Sequence, residues 1–236
     1  MLATESRNDA QYDASEFNAP SFAQDNSPDF HSRLRSRLVS LDYRARLNQV
    51  WTSSFKLARS EDDSDAGGTT INRFLTRRDQ ASWQNSLDFA AGQQMVLAVE
   101  RMIEHVDGTP FANQLGRDNN ALVLGYTGRF GIHVLQVDLR HDENSIYGGV
   151  DTGRIGYSVA VARGLRLRAL AGTSFRAPTF NDLFYPGYGV ATVEPERGRS
   201  VEVGVNWTQD NSEAALTIYR NRVSKLIAYE SDRSFC

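Results

Sequence analysis

Hydrophobic and polar residues alternate along this chain with a period of two, and helical periodicity is nearly absent. From Thr76 to Asp88 every even position is polar (Thr76, Arg78, Gln80, Ser82, Gln84, Ser86, Asp88), while odd positions include Ala81, Trp83, Leu87 and, just beyond, Phe89. The split recurs with Leu135, Val137 and Leu139 against Gln136, Asp138 and Arg140, and with Ile155, Tyr157, Val159 and Val161 against Arg154, Gly156 and Ser158. It returns with Val201, Val203, Val205 and Trp207 against Ser200, Glu202, Gly204 and Asn206. Successive side chains of a strand point to opposite faces, so each segment builds a sheet with one wet and one apolar surface.

The pattern predicts about eleven strands, near 2–9, 31–46, 50–60, 71–90, 94–106, 118–129, 133–142, 152–162, 165–175, 197–208 and 213–222. The expected connections alternate in length. Short ones fall at Leu47–Gln49, Ala91–Gln93, Phe130–Ile132, Arg163–Gly164 and Gln209–Ser212, and long ones near 10–30, 61–70, 107–117, 143–151 and 176–196. An up-and-down antiparallel sheet collects alternate connections at opposite rims, so this rhythm implies one rim of tight turns and one of large loops. The fold class expected is all-β: an antiparallel up-and-down transmembrane β-barrel whose polar face lines the lumen. A charge on the lipid side at mid-membrane costs roughly 2–4 kcal/mol, which assigns the apolar face to outer-membrane lipid. Trp83, Phe89, Tyr126, Tyr157 and Trp207 are candidates for interfacial girdles. The alternative, a soluble β-rich binding module such as a sandwich, expects shorter strands and no such ordering of loops.

Two features break the phase. Arg101 follows Met95, Leu97 and Val99 on the apolar face, where it would snorkel at a rim. Leu34 and Leu38 are out of step with Val39, Leu41 and Tyr43, and a β-bulge near Leu38 is expected to reset them.

Composition narrows the chemistry. The 236 residues carry 26 basic and 29 acidic side chains, a net charge of −3, so nucleic acid is not an expected partner. No stretch approaches the roughly 18 apolar residues of a helical membrane span. Cys236 is the sole cysteine, which forbids an internal disulfide. The first residues lack the basic and apolar regions of a secretory signal peptide, as an internal piece of a longer exported protein also would. The 4 histidines, His31, His105, His133 and His141, have no zinc-site spacing, and no P-loop, GxSxG or GxGxxG occurs. Gly187-Tyr188-Gly189 reads as a loop turn. No enzymatic activity and no resident cofactor are expected.

Two loop features remain. Asp63-Ser64-Asp65-Ala66-Gly67 has the alternating oxygens with which a calcium loop begins, making Asp63 and Asp65 candidate metal ligands, but later ligands are missing and a solvated acidic loop is the simpler reading. A second acidic set comprises Asp9, Asp13, Glu16, Asp25 and Asp29. Asn181, Asp182, Phe184, Tyr185 and Tyr188 combine amides and aromatics as a capture loop for a large amphipathic ligand does. Arg78, Asp88, Asp138, Arg140, Arg154 and Glu202 fall on the lumenal face as a polar inner wall.

The stretch Ala171-Gly172-Thr173-Ser174-Phe175-Arg176-Ala177-Pro178-Thr179-Phe180-Asn181-Asp182-Leu183 resembles a motif of TonB-dependent outer-membrane receptors, in which a rising strand enters a long external loop. Glu194-Pro195-Glu196 and Ser200-Val201-Glu202 resemble the descending strand of that family, and Val223–Tyr229 its next crest. Together with Thr76–Asn85, the chain looks most like the vitamin B12 (cobalamin) receptor group, and it also resembles siderophore receptors of the same family. The resemblance makes Phe175, Arg176, Ala177, Pro178, Pro195 and Glu196 family-motif residues. It implies that residues 1–236 are a partial barrel, about half of a 22-stranded wall, without the N-terminal plug or closing strands. It further implies a cell outer membrane location, energy-coupled uptake of cobalamin or a similar large nutrient, and contact with the TonB complex through the absent plug. In the cobalamin group calcium orders external loops. The family's Asn-Pro turn is replaced here by Gly189-Val190-Ala191-Thr192-Val193, which leaves that turn's geometry open.

Overall fold

The computed structural model describes residues 1–12, 17–18, 23–24, 30–68 and 71–228. Asp13, Glu16, Asp25, Asp29, Tyr229 and Cys236 lie outside the described residues. The strands are β1 (Leu2–Tyr12), β2 (Phe17–Asn18), β3 (Ala23–Gln24), β4 (Phe30–Arg46), β5 (Trp51–Gly67), β6 (Ile71–Ala90), β7 (Gln93–Gly108), β8 (Leu115–Phe130), β9 (His133–Asn144), β10 (Gly148–Ala162), β11 (Leu165–Arg176), β12 (Glu196–Gln209) and β13 (Ser212–Ser224). One short helix, α1 (Phe180–Phe184), interrupts them. Eleven strands form one antiparallel sheet in chain order, from β1 and β4 through to β13, while β2 and β3 pair only with each other. Every neighbour in the large sheet is therefore a hairpin partner, as the alternation predicts.

Three expected loops prove shorter than the pattern predicts, their flanks being strand. β5 runs on to Gly67, β7 and β8 leave only 109–114 between them, and β9 and β10 only 145–147. The reason is visible in the register: Glu61 lies opposite Arg77 and Asp65 opposite Arg73. Cross-strand charge pairs sustain the ladder above the apolar band, so polarity there marks strand rising into water rather than loop. The strict contrast between short and long connections is lost with it, although residues 177–195 remain a long excursion.

The bulge expected near Leu38 is absent. β4 pairs with β1 and β5 in unbroken register, with Leu38 opposite Thr4 and Ser60 on the lumenal face. Two apolar side chains on a wet face cost less than a ladder interrupted in mid-strand. Register shifts occur instead at Asp88/Ala90 and Ala160/Ala162, both beside tight turns. At Arg163-Gly164 the turn demands glycine: Gly164 has φ +74°, and a Cβ there would stand 2.0 Å from the Thr208 carbonyl oxygen.

Among the described residues there is no sealed hydrophobic interior. The accessible surface is 16673 Å², against roughly 10,600 Å² for a water-soluble monomer of this mass. Large apolar side chains are exposed along the outward face, where Val201 is 57% and Ile218 is 68% exposed. In contrast, the buried apolar residues Ala98, Val106, Ala121 and Val150 belong to the opposite face, where Phe180 and Leu183 of α1 are also buried. A sheet greasy outside and polar inside, with no second layer, is a transmembrane barrel wall and not a sandwich.

Aromatics mark the tight-turn rim of the apolar face. Phe89 stacks on Tyr126 with centroids 6.4 Å apart, the Tyr126 hydroxyl donates to Gln93, and the Tyr157 hydroxyl sits 2.6 Å from His133 Nδ1. Trp83 stands higher, its indole N–H donating to Ser53 Oγ at 2.9 Å. Arg101 is outward as expected and bonds Asp118 at 3.2 Å.

Val137 lies roughly 12 Å above the tight-turn rim, near mid-membrane, given a rise of about 3.3 Å per residue and a tilt near 45°. Val137→Arg is expected to destabilise a closed receptor containing this chain by about 2–4 kcal/mol, whereas Gln136→Arg, one residue away on the lumenal face, changes stability by less than about 1 kcal/mol. Urea titration in lipid vesicles measures both. Equal losses would contradict the face assignment.

Candidate functional site

The 177–195 excursion folds inward over the upper lumenal wall, and Phe175, Arg176, Pro178 and Glu196 clamp its base. Arg176 Nη2 donates to Glu196 Oε1 at 2.7 Å, and the two are register partners on β11 and β12. The same oxygen accepts the Ile227 backbone N–H at 2.9 Å. These two donors stabilise the charged carboxylate, Arg176 foremost, and bring the Glu196 pKa from 4.5 down to about 2. Beside it, Lys225 bonds Glu194 and lowers that carboxyl too. Phe175 meets Tyr147 edge-on at 6.2 Å. Pro178 is buried, and its carbonyl accepts Arg117 Nη1 at 2.7 Å.

Arg117 links loop to wall. Its Nε donates to Glu104 at 2.5 Å, its guanidinium lies 4.8 Å from the Phe180 ring centroid, and Arg78 reaches the other Glu104 oxygen at 2.5 Å. Glu104 is only 2% exposed. A carboxylate so deeply desolvated persists as an ion because two guanidinium groups embrace it. A second cluster stiffens the adjoining wall: Asp142 accepts Asn119 Nδ2 at 2.8 Å and Arg140 Nε at 2.7 Å, and Arg140 also reaches Glu100 at 2.7 Å.

The short helix forms because Thr179 and Asp182 make a capping box. Thr179 Oγ1 accepts the Asp182 N–H at 3.1 Å, and Asp182 Oδ2 accepts the Thr179 N–H at 2.8 Å. This turns Phe180 and Leu183 into the wall. The following Gly189-to-Val193 segment closes through Gly189 N–H to Tyr185 O and Val190 N–H to Asp182 O, both at 2.8 Å, and Val193 N–H to Val190 O at 3.1 Å. Only a glycine fits at 189, where a Cβ would lie 2.5 Å from the Tyr185 nitrogen. The turn is thus built without Asn-Pro.

The five loop residues singled out from the sequence divide by environment. Asp182 is committed to the cap, and Phe184 lies beside Phe180 with centroids 6.5 Å apart. Tyr185 and Tyr188 stack at 4.6 Å and 17°, while Tyr185 is edge-on to Phe111 at 6.3 Å and Phe111 to Phe74 at 5.9 Å. Tyr188 is 45% exposed and Asn181 is exposed. An open aromatic surface with an amide at its edge results. Asp63 and Asp65 are not brought to it. They lie on β5, not in a loop, and on its outward face, where Arg73 is 2.8 Å from Asp63 and 3.7 Å from Asp65. Among the described residues no three His, Cys, Asp or Glu side chains converge as a metal site.

The polar inner wall is as expected in its face, and its members are paired: Arg78 with Glu104, Arg140 with Asp142, Arg154 with Asp138 at 2.8 Å, Arg168 with Glu202 at 3.6 Å, and Asp88 with Gln94 at 2.9 Å. Sequence reasoning missed Glu104, Arg117, Asn119 and Asp142 as an organised set. Parity places each on the lumenal face, but their partners depend on register between strands.

The family model described as "TonB dependent receptor-like, beta-barrel" matches residues 2–236, and the chain belongs to that family. Its relatives include the vitamin B12 transporter BtuB of Photobacterium profundum, 28% identical over 204 residues, covering 84% of this chain and 34% of the relative. The BtuB of Vibrio vulnificus is 26% identical over 187 residues, covering 75% and 30%. The chain spans about a third of the length of these relatives. Solved structures of like fold include the Serratia marcescens hemophore receptor HasR (TM-score 0.74, 16% identity, 84% of this chain and 41% of that one). Another is the FrpB iron transporter of Neisseria meningitidis (TM-score 0.78, 10% identity, 98% and 43%).

Removing the Glu104 carboxylate strands two cations, Arg117 in a buried setting and Arg78 nearer water. Glu104→Ala is expected to weaken loop docking by about 3 kcal/mol, read as an increase on the order of a hundredfold in hydrogen exchange at the Gly189 and Val190 amides. Unchanged exchange would separate the loop from the wall. The depressed Glu196 pKa strengthens the loop base at pH above about 4.5, and that contribution is lost as pH falls through about 2. Exchange protection at the Ile227 amide should therefore survive at pH 3. A midpoint near 4.5 would contradict the bonding described.

Proposed function

We propose that this member of the TonB-dependent receptor family supplies part of the wall of an outer-membrane importer whose ligand is a corrinoid of the vitamin B12 class. Energy for uptake is relayed by TonB through a plug domain, as the family resemblance implies. The eleven-strand sheet has two unpaired edges, so import is a property of the closed receptor and not of this wall alone.

The observation that carries the ligand class is an aromatic surface set over an electrically neutralised wall. Tyr185 and Tyr188 offer stacked rings, with Asn181 exposed nearby, suited to a large, flat-sided, amphipathic macrocycle. The upper lumenal arginines Arg78, Arg117, Arg140, Arg154 and Arg176 are each spent on carboxylates. A strongly anionic iron chelate would find no free cation among them, whereas a near-neutral corrinoid needs none. The vitamin B12 transporters among the relatives support the same class. A ferric siderophore is the second reading, favoured by the fold shared with iron receptors.

The test is complementation by a closed receptor containing this chain, in cells lacking their own corrinoid receptor. Labelled cyanocobalamin should accumulate, and the Tyr185→Ala, Tyr188→Ala double variant should lower equilibrium binding at least about tenfold. Import of a ferric catecholate without import of cobalamin would overturn the assignment.

A further inference from the structure

The tyrosine pair does not stand alone at the mouth. Tyr185 meets Phe111 edge-on at 6.3 Å, and Phe111 meets Phe74 edge-on at 5.9 Å. These rings come from three separate stretches of chain: Phe74 from β6, Phe111 from the 109–114 turn between β7 and β8, and Tyr185 from the 177–195 excursion. Edge-to-face contact fixes the orientation of a ring as well as its separation, so Phe111 sets where Tyr185 stands.

The turn that presents Phe111 is itself firmly built. The Thr109 N–H donates to the Arg73 carbonyl at 3.0 Å, the Arg73 N–H donates to Thr109 Oγ1 at 3.0 Å, and the Phe111 N–H donates to the Gly108 carbonyl at 2.9 Å. Its base is thereby tied to β6, while its tip is Ala112, Asn113 and Gln114, all exposed. Three residues of chain span at most about 11 Å, which keeps both carboxamides beside the aromatic surface that Phe111 supports. A third exposed carboxamide, Asn181, belongs to the excursion itself. No residue from Thr109 to Gln114 carries a charge.

A carboxamide donates and accepts at once, so another carboxamide satisfies it fully, through two antiparallel N–H···O bonds. The rim of a cobalamin ring is set with acetamide and propionamide arms. Resting on the corrinoid ligand proposed above, we infer that the 109–114 turn is the second half of the ligand site. Asn113 and Gln114 take carboxamide arms of the corrin rim while the ring lies on Tyr185 and Tyr188. Phe111 is a positioning residue that holds the two halves together.

Equilibrium dialysis of the purified closed receptor containing this chain tests this with two probes. One is labelled cyanocobalamin, and the other a cobalamin analogue whose carboxamides are converted to methyl esters, which accept hydrogen bonds but donate none. Two lost hydrogen bonds are together worth about tenfold, so the wild type should prefer cyanocobalamin by about that factor. The Asn113→Ala, Gln114→Ala variant should bind cyanocobalamin about tenfold more weakly and lose most of the preference, with wild-type hydrogen exchange at the Phe111 amide marking an intact turn. Phe111→Ala should lower cyanocobalamin affinity at least about fivefold, and Phe111→Tyr, which keeps the ring, should restore it. Unchanged cyanocobalamin affinity in the double variant, or an undiminished preference for the amide probe, would overturn the role of the turn and leave the corrinoid reading in place. Wild-type affinity in Phe111→Ala would overturn the positioning role. No cyanocobalamin binding by the wild type would overturn the corrinoid reading and this inference together.

Discussion

A backbone amide cannot stay unpaired in hydrocarbon, and the whole structure follows from meeting that requirement with strands. Each unsatisfied group costs several kcal/mol, so every inner strand of the large sheet is paired on both sides. With the backbone committed in this way, side chains are free to differ completely between faces. The outward set dissolves in lipid and the inward set in water, and stability comes from the surroundings as much as from internal packing. The large exposed apolar area is the signature of that arrangement.

Charge is handled differently on the two faces. Inside, carboxylates such as Glu104 and Asp142 are buried beneath a folded-in loop and made tolerable by arginines that reach them from neighbouring strands. Outside, the ion pairs among the described residues gather toward the loop rim, where they hold long strands together. The same side-chain chemistry therefore secures a folded-in loop on one side and an interfacial collar on the other. The loop with Tyr185 and Tyr188 is the place where the inner network and the exposed aromatics meet.

Much of this was legible in the chain itself. Strand positions and faces follow from period-two alternation because lipid punishes every error in phase, as from Gln80 to Leu87 or Leu135 to Arg140. The reading failed where that penalty lapses. Above the membrane both faces are polar, so Glu61–Asp65 looked like a loop although they extend β5, and Leu38 suggested a bulge that the ladder does not contain. The pairing of Arg176 with Glu196 was not legible, since the two meet only after the excursion returns. Partnerships such as Arg117 with Pro178 depend on tertiary folding that no local pattern encodes.

One carboxylate, Glu196, is shared by Arg176 on the rising leg of the excursion and by Ile227 beyond the crest of the next hairpin. Three otherwise independent pieces of the mouth are tied at a single knot. Both donors share a single oxygen atom, so the two contacts are joined through one side chain. The base of the loop is thereby anchored at one point to both flanking strands and to the backbone just past β13.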